Sequence, residues 1–525
     1  MKKLMILLIV VLLAGAFSLS TAASTGEIVI AIPNEPANLD LHRDTPRQTK
    51  KIQHFLNDPL IFQDPDTLEY MPGLAHSWEI SSDGRVWTFH LREDVLFHNG
   101  DPLTAEDFRY TYERILDPET QAMAARSDVG SLESVRVLDE YSFELHFEEP
   151  FAAFYHWLAH GWLMPLNQRA VDYHGADYGQ NPVGTGPFMF KEWRPGQYIR
   201  LVRNPDYAWG PAFYENQGAP YVDEIEFRVI SDLGTTLVGL ETGELDGADH
   251  VADKDVEALR RNPDIDLFRT YVPGVGLYGA FNHTSPLFSD VDVRRAFIHA
   301  VDRNVMVQVV KQGNAVVAYG PFPYFFLGFD QDVEEYGYPY DPQQANAILD
   351  EAGWVKEADG IRAKDGVRLS GLFLVRNRND YILAAQLIQN MVGEIGIDLE
   401  LQILEFGALS EQLFAGRHDF ALMGYGTGEP DALNLFMHSS QIGRWNIAHV
   451  SDPIIDDLLG QARVATDLAE RAELYRQFQR RAVEDLAVWL PIYTDIQYTP
   501  MNSRITGVEI HPLGWLLLND ARIVH

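Results

Sequence analysis

The chain has no cysteine among its 525 residues. This absence excludes disulfide bonds, thiol catalysis and metal sites that use cysteine ligands. A chain of this length can bury several hydrophobic cores. We therefore expect side-chain packing alone to stabilise the fold.

Basic residues are few: 41 Lys and Arg stand against 76 Asp and Glu, and the formal net charge is -35. A surface of this sign repels nucleic acids and anionic membranes, so neither is an expected partner. The acidity has two explanations, solubility and adaptation to high salt, and the sequence leaves both open.

Long apolar runs are confined to the start of the chain. Lys2 and Lys3 precede an apolar run over residues 4–17 and a stretch of small residues over 18–24. The run is shorter than the roughly 20 residues of a membrane span, and the pattern is typical of a secretory signal peptide. We expect cleavage after Ala22 or Ala23, with an uncleaved anchor as the alternative. Since no cysteine follows the run, lipidation is not expected. Since no later stretch is long and apolar enough to span a bilayer, the exported protein is expected to be soluble.

Strand-like and helix-like segments alternate along the rest of the chain. Enrichment in β-branched and aromatic residues predicts strands, and apolar residues at helical spacing predict helices. In one predicted helix Thr104 is the N-cap and Asp107 completes an acidic capping box. The mixture indicates a large α/β protein with more than one lobe. The predicted strands are 27–32, 86–91, 142–147, 224–230, 397–406 and 419–424, and the predicted helices are 104–116, 292–303, 341–354, 453–459 and 467–486.

Five ordered blocks of sequence span almost all of the chain that follows the signal. The first places Trp78 before a strand, then Phe89-x-Leu91-Arg92, Val95-x-Phe97-x-Asn99-Gly100 and Pro102-x-Thr104-Ala105-x-Asp107. The blocks are residues 74–118, "NPVGTGPF" at 181–188 with 201–210, 281–303, 340–354 and 470–493. In their order and spacing they resemble the family 5 extracellular solute-binding proteins of ABC transporters, the peptide- and nickel-binding group.

The resemblance implies a fold of the type II periplasmic-binding-protein class, with two lobes around a ligand cleft and an extra domain inserted in the first lobe. Domain I then takes residues 25–57, 182–270 and 487–525, domain II takes 58–181, and domain III takes 271–486, after a signal peptide over 1–23. The implied function is capture of a peptide-like solute and delivery to a membrane permease. A monomer in the periplasm, with no catalytic residue and no cofactor, is expected.

The segment "GYGTGEPD", residues 424–431, follows a predicted strand. In peptide-binding relatives this region lies in the cleft and carries an Asp that pairs with the amino group of the peptide. Here Gly426 or a short deletion takes the place of that Asp, so another carboxylate has to replace it if the ligand is a peptide. The candidates in the segment are Tyr425, Gly426, Thr427, Glu429 and Asp431. Glu429 has a second interpretation as part of a local cap and turn.

Weaker ligand candidates lie outside this segment. Trp445 and Asn446 belong to a stretch that the family places beyond the strand, and Trp445 either stacks on a ligand or packs in the core. Arg376 and Arg378 either bind a ligand carboxylate or lie in a solvated loop. A second carboxylate for an amine could come from Glu35 or Asp40 in "PNEPANLD".

The sequence has three alternative interpretations besides peptide binding. The first is an oligosaccharide or another small organic solute, which the missing Asp favours. The second is a metal of the nickel type, since His156 and His160 are four residues apart in "YHWLAH", although packing among the neighbouring aromatic residues is the preferred explanation for both. The third is an exported enzyme, but the sequence contains no GxSxG, HExxH or P-loop motif. Gly184 and Gly186 are interpreted as a tight turn rather than a phosphate loop.

Overall fold

The computed structural model describes residues 26–43 and 47–524. The predicted signal peptide, residues 1–23, lies outside this part of the chain. None of the helices within it combines the length and the hydrophobicity that a membrane span requires.

A 12-stranded mixed sheet organises the molecule around one long strand, Trp489–Asn502. The carboxyl-terminal part of this strand pairs with strands of a first lobe, with Tyr271 opposite Ile496 and Ile265 opposite Asn502. Its amino-terminal part pairs with strands of a second lobe, with Ala280 opposite Trp489. The first lobe contributes Glu27–Ile32, Phe188–Arg194, Tyr198–Arg203, Glu224–Val229, Gly247–Ala248 and Ile265–Tyr271, and the second contributes Leu277–Phe281, Ala315–Val317, Ser370–Arg376, Asp398–Leu404 and Phe420–Met423.

Two chain segments therefore connect the lobes. One is the long strand itself, and the other is the run 272–276 between Ile265–Tyr271 and Leu277–Phe281. This run lies against the long strand, since the backbone N–H of Val272 donates to the carbonyl of Asp495 over 2.9 Å. Two parallel connections permit rotation about one axis, which is the geometry of a hinge.

A four-stranded antiparallel sheet extends the first lobe. Its strands are Ala75–Ile80, Val86–Leu91, Ser142–Phe147 and Leu132–Asp139, in that spatial order. Its core is aromatic: Phe143 stacks on Phe89 and Phe108 at ring-centroid distances of 5.2 and 4.9 Å. Smaller sheets are formed by Ile61–Gln63 with Tyr70–Pro72, by Val355–Lys356, Arg362–Lys364 and Val367–Arg368, by Ile505–Thr506 with Arg522–Ile523, and by Glu509–Ile510 with Leu516–Leu517.

Helices cover the sheets in both lobes. The α-helices of the first lobe are Arg47–Leu56, Ala105–Leu116, Met123–Asp128, Phe154–His160, Gln168–His174, Leu233–Thr242 and Val256–Arg260. Those of the second lobe are Val291–Ala300, Arg303–Lys311, Val333–Tyr336, Pro342–Glu351, Asn379–Glu394, Phe406–Phe414, Ala432–Met437, Pro453–Val464 and Leu468–Arg480. Short 3₁₀ turns occupy Pro118–Thr120, Gly175–Gln180, Asp253–Asp255 and Ser439–Gln441, and a π-turn occupies Arg481–Asp485.

The predicted strands 27–32, 86–91 and 142–147 are confirmed at both ends. The capping box of Ala105–Leu116 is also confirmed, since the N–H of Thr104 donates to the Asp107 carboxylate over 2.9 Å. The helix predicted over 292–303 is wrong at its end. It stops at Ala300, and Asp302 caps a new helix by accepting from the N–H groups of Asn304 and Val305.

The chain bends over residues 185–187, where the sequence predicts a tight turn at Gly184 and Gly186. Both glycines lie against the end of helix Arg47–Leu56. A Cβ on Gly184 would lie 2.0 Å from the Leu56 carbonyl oxygen, and one on Gly186 would lie 2.5 Å from that of Phe55. Close backbone approach, and not a positive φ, therefore requires glycine at both positions.

Candidate ligand cleft

The two lobes face each other across a cleft that contains two cavities lined from both sides. The first, named the aromatic cavity, has a volume of about 530 Å³. The second, named the charged cavity, has a volume of about 550 Å³ and lies against the two connecting segments. A third cavity of about 540 Å³ adjoins the aromatic cavity and shares Tyr324, Phe329 and Gln331 with it. Volumes of this size suit a small organic solute.

The aromatic cavity is built mainly by two loops. The loop 324–329 of the second lobe supplies three phenylalanines and Tyr324, whose side chain is exposed. The hairpin of strands Ile61–Gln63 and Tyr70–Pro72 supplies Leu68 and Tyr70 from the first lobe. Leu513, also of the first lobe, completes the apolar wall.

A buried ion pair lies in the wall of the same cavity. Glu429 and Arg471 bind each other through Oε1 and Nη2, and both side chains are almost fully buried. Arg471 also donates from Nε to the carbonyl of Ala462 over 3.0 Å and from Nη2 to the hydroxyl of Tyr475 over 3.2 Å. Burial raises the pKa of Glu429, and the charge of Arg471 acts against that rise. The predicted ligand carboxylate Glu429 thus already has a cationic partner.

The charged cavity holds three carboxylates and two lysines. Lys51 pairs with Asp249 inside the first lobe. Lys311 of the second lobe lies 3.1 Å from Oδ2 of Asp253 and 3.0 Å from Oδ1 of Asp495. All five groups line the cavity, and burial lowers the pKa of the neighbouring His250. The carboxylates exceed the lysines by one, so this part of the cleft favours a cationic group.

The "GYGTGEPD" segment lies beside the connecting run 272–276. The N–H of Tyr425 donates to the Val275 carbonyl over 3.0 Å, and its hydroxyl donates to the Pro321 carbonyl. Gly426 is exposed to solvent. The hydroxyl of Thr427 accepts from the N–H of Glu429 over 3.3 Å.

Asp431 occupies the cap position of helix Ala432–Met437. Its N–H donates to Oε1 of Glu429 over 3.1 Å, and its Oδ1 accepts from Nδ2 of Asn434 over 2.9 Å. Both acidic residues of the segment therefore make local contacts at the start of this helix, in line with the second interpretation of Glu429.

Trp445 and Arg376 both contact the ring of Phe406. The rings of Phe406 and Trp445 stack with 6.4 Å between their centroids. The Arg376 guanidinium lies 4.8 Å from the centroid of the Phe406 ring. Asn446 is fully buried and uses its amide to hold backbone, donating to His438 and Val450 carbonyls over 3.1 and 2.9 Å. Their ligand roles stay predictions.

The amino-terminal carboxylates and Arg378 also have protein partners. Glu35 accepts from Nε1 of Trp193 over 2.6 Å and from the N–H of Gly196 over 2.8 Å. Asp40 holds Arg114 through two hydrogen bonds of 2.9 and 2.6 Å. Arg378 binds Asp380 in the same two-point manner.

The histidines considered as metal ligands pack inside the first lobe. The rings of His156 and His160 lie 5.0 Å apart, and His160 also contacts His511 at 4.9 Å. The Nε2 atom of His160 lies 2.8 Å from Oε1 of Gln63. Over residues 26–43 and 47–524, no three His, Asp or Glu side chains converge in a way that could hold a metal ion.

Most of the residues that shape the two cavities were not among the candidates predicted from the sequence. One signal was present: "YGPFPYFFLGF", residues 319–329, is the most aromatic short stretch that lines the cleft. The charged cavity had no such signal, because Lys51, Asp249, Lys311 and Asp495 are far apart in the sequence.

Comparisons with known proteins agree with this architecture. Residues 69–446 match the model of the "Bacterial extracellular solute-binding proteins, family 5 Middle". Di/tripeptide-binding protein 4 of Pseudomonas aeruginosa is 30% identical, with 96% of each chain covered.

Two solved structures show the same fold. HbpA2 from Haemophilus parasuis is 25% identical and superposes with a TM-score of 0.86, covering 95% of this chain and 100% of its own. The oligopeptide-binding protein AppA from Bacillus subtilis, in complex with a nonapeptide, is 25% identical with a TM-score of 0.68, covering 95% and 99%. With its two lobes, its connecting segments and a family match over most of its length, the chain belongs to the family 5 extracellular solute-binding proteins and has their type II periplasmic-binding-protein fold.

Proposed function

We propose that this protein is the solute-binding component of an ABC importer and captures a short peptide in the cleft between its lobes. The observation that carries the proposal is the charged cavity, which is lined from both lobes and has one more carboxylate than lysine. A peptide ammonium enclosed in a cleft needs a carboxylate partner, because an unpaired buried charge is costly. The similarity to a di/tripeptide-binding protein over 96% of both chains supports the same substrate class.

Asp495 is the leading replacement for the Asp that the "GYGTGEPD" segment lacks. It lies on the strand that connects the lobes, it lines the charged cavity, and it shares Lys311 with Asp253. Glu429, Asp431 and Glu35 are engaged by Arg471, Asn434 and Trp193 respectively. An arriving ammonium can compete with Lys311 for Asp495 without leaving a carboxylate unpaired.

The domain bounds predicted from the sequence form part of the proposal. Residues 25–57, 182–270 and 487–525 form domain I, 58–181 the inserted domain II, and 271–486 domain III. Peptide binding draws the lobes together about the two connecting segments. The closed monomer then docks on its permease at the outer face of the inner membrane, in the periplasm.

Calorimetric titration of the ligand-stripped protein tests the peptide assignment. Di- and tripeptides with a free amino group are expected to bind, and N-acetylated peptides of the same sequence are expected to bind far more weakly. Asp495→Asn should remove most of this difference, whereas Asp264→Asn, at an exposed acid outside the cleft, should preserve it. If oligosaccharides bind and no peptide does, the transport role stands and the peptide assignment is wrong.

A further inference from the structure

The charged groups in the wall of the aromatic cavity are largely neutralised by the protein itself. Glu429 is paired with Arg471. Arg476 is paired with Glu473 over 2.9 Å. At the rim Glu69 is exposed to water. A charged ligand group in this cavity would find few groups that are not already engaged, so its chemistry suits an uncharged group.

Some apolar groups of the cavity, in contrast, are incompletely covered, whereas Phe325, Phe326 and Leu513 are buried. Tyr324 is 53% exposed although its ring packs on Tyr271 at 4.6 Å. Phe329, Leu68 and Tyr70 are only half-buried. Binding is favoured when a ligand removes apolar surface inside a cleft from water. Apolar groups of both lobes line this cavity, so one ligand group can contact both.

Leu68 is held in this wall in a strained backbone conformation. Its φ is +62°, in the left-handed region that side chains other than glycine rarely adopt. The conformation is fixed by local bonds: Leu68 donates to the Asp64 carbonyl over 3.0 Å, and its carbonyl accepts from Nε2 of Gln63 over 3.0 Å. Strain of this kind is concentrated at ligand sites in proteins.

We infer that the aromatic cavity receives an apolar or aromatic side chain of the bound peptide, so that the protein selects hydrophobic peptides over peptides of small or charged residues. This inference rests on the proposed function, because it assumes that the ligand is a peptide. Tyr324 and Leu68 act as specificity-determining residues from opposite lobes. Burial of one Leu or Phe side chain corresponds to roughly a 10- to 100-fold gain in affinity.

Titration with matched tripeptides tests the inference. Phe-Ala-Ala, Ala-Phe-Ala and Ala-Ala-Phe are compared with Ala-Ala-Ala and with the three corresponding Asp peptides. The best Phe peptide is expected to bind at least about 10-fold more tightly than Ala-Ala-Ala, and every Asp peptide more weakly. Tyr324→Ala should remove most of the Phe advantage. Tyr173→Ala is the matched control, since Tyr173 is 85% exposed on helix Gln168–His174 of the first lobe.

Leu68→Gly provides a second, independent variant. Glycine relieves the strain at φ +62° while the side chain is lost, so the melting temperature should be close to that of the wild type. The Phe advantage should nevertheless fall several-fold, which a purely structural role for Leu68 would not produce.

The possible results distinguish a failure of this inference from a failure of peptide capture. Equal binding of Ala-Ala-Ala and all Phe peptides, or a Phe advantage that survives both variants, overturns the inference and leaves peptide capture standing. If no tripeptide binds at all, the peptide assignment of the proposed function fails together with the inference.

Discussion

Lys311 of the second lobe binds Asp253 of the first, with 3.1 Å between Nζ and Oδ2. The same ammonium lies 3.0 Å from Asp495 on the strand that connects the lobes. Asn314 reinforces the link by donating from Nδ2 to the Asp253 carbonyl over 3.0 Å. One cation thus joins both lobes and a connecting segment at the base of the cleft.

Lys311→Met is expected to destabilise the protein by about 1–2 kcal/mol at low salt, because Asp253 and Asp495 lose their shared cation. The loss should shrink as salt rises from about 0.01 M to 1 M, where the screening length falls from ~30 Å to ~3 Å. Urea unfolding of the variant and the wild type at both salt concentrations measures this loss of stability. Arg476→Met is the control, since its pair with Glu473 is exposed. A loss that does not depend on salt would contradict an electrostatic role for Lys311.

Removing one partner of the buried pair Glu429–Arg471 should cost far more than removing both. Glu429→Met leaves the Arg471 guanidinium buried without its carboxylate, and a loss of about 3–5 kcal/mol in unfolding free energy is expected. Replacing both residues by Met should recover much of that loss, because no buried charge then remains. A double-mutant cycle in urea measures the coupling. If the double variant is as unstable as the sum of the single ones, the pair is not coupled.

The protein should lose stability in acid because a cluster of histidines is buried in its neutral form. Burial lowers the pKa of His511 to about 3 and holds that of His54, His156 and His160 well below the ordinary value. Such a group binds a proton in the unfolded chain below about pH 6.5 but not in the folded one. His511 therefore contributes stability that is present above about pH 6.5 and is lost progressively as the pH falls toward 3, by roughly 2 kcal/mol at pH 5. His54, His156 and His160 act in the same direction, because burial lowers their pKa as well.

Two buried carboxyls act in the opposite direction. Burial raises the pKa of Asp58 to about 7 and that of Asp128 to about 6, so their contributions diminish as the pH rises through these values. The histidines are more numerous, and the net slope between pH 4 and 6 should be positive. Urea unfolding against pH measures the slope, and His160→Gln should reduce it. A flat profile over this range would show that the cluster is charged or accessible in the native state.

Gly274, in the run that connects the lobes, should not tolerate a side chain. Its φ is +97°, and a Cβ would lie 2.1 Å from the carbonyl oxygen of Tyr425. Gly274→Ala is expected to cost well over 2 kcal/mol, since backbone strain of about 1–2 kcal/mol adds to a clash with backbone. Gly196→Ala isolates the strain, because Gly196 has φ +72° and open space around it. Equal losses for both variants in urea unfolding would argue against close contact at Gly274.

Local patterns in the sequence were sufficient for many elements. Enrichment in β-branched and aromatic residues predicts Val86–Leu91 and Ser142–Phe147 at their observed ends, and the spacing of Thr104 and Asp107 predicts the start of Ala105–Leu116. These features depend on neighbours within a few residues. The family and its fold were also recognisable, because five motifs in order identify them without any knowledge of contacts.

Tertiary structure alone decided which of the candidate residues have partners. Glu429 has the character of a ligand carboxylate in the sequence, yet Arg471, 42 residues away, neutralises it. Gly184 matches a turn, yet the end of a helix more than a hundred residues earlier is what excludes its Cβ. Lys51, Asp249, Lys311 and Asp495 form one cavity although no local pattern connects them. The identity of a residue and its neighbours determines local conformation, whereas burial and charge pairing depend on segments that only the folded chain brings together.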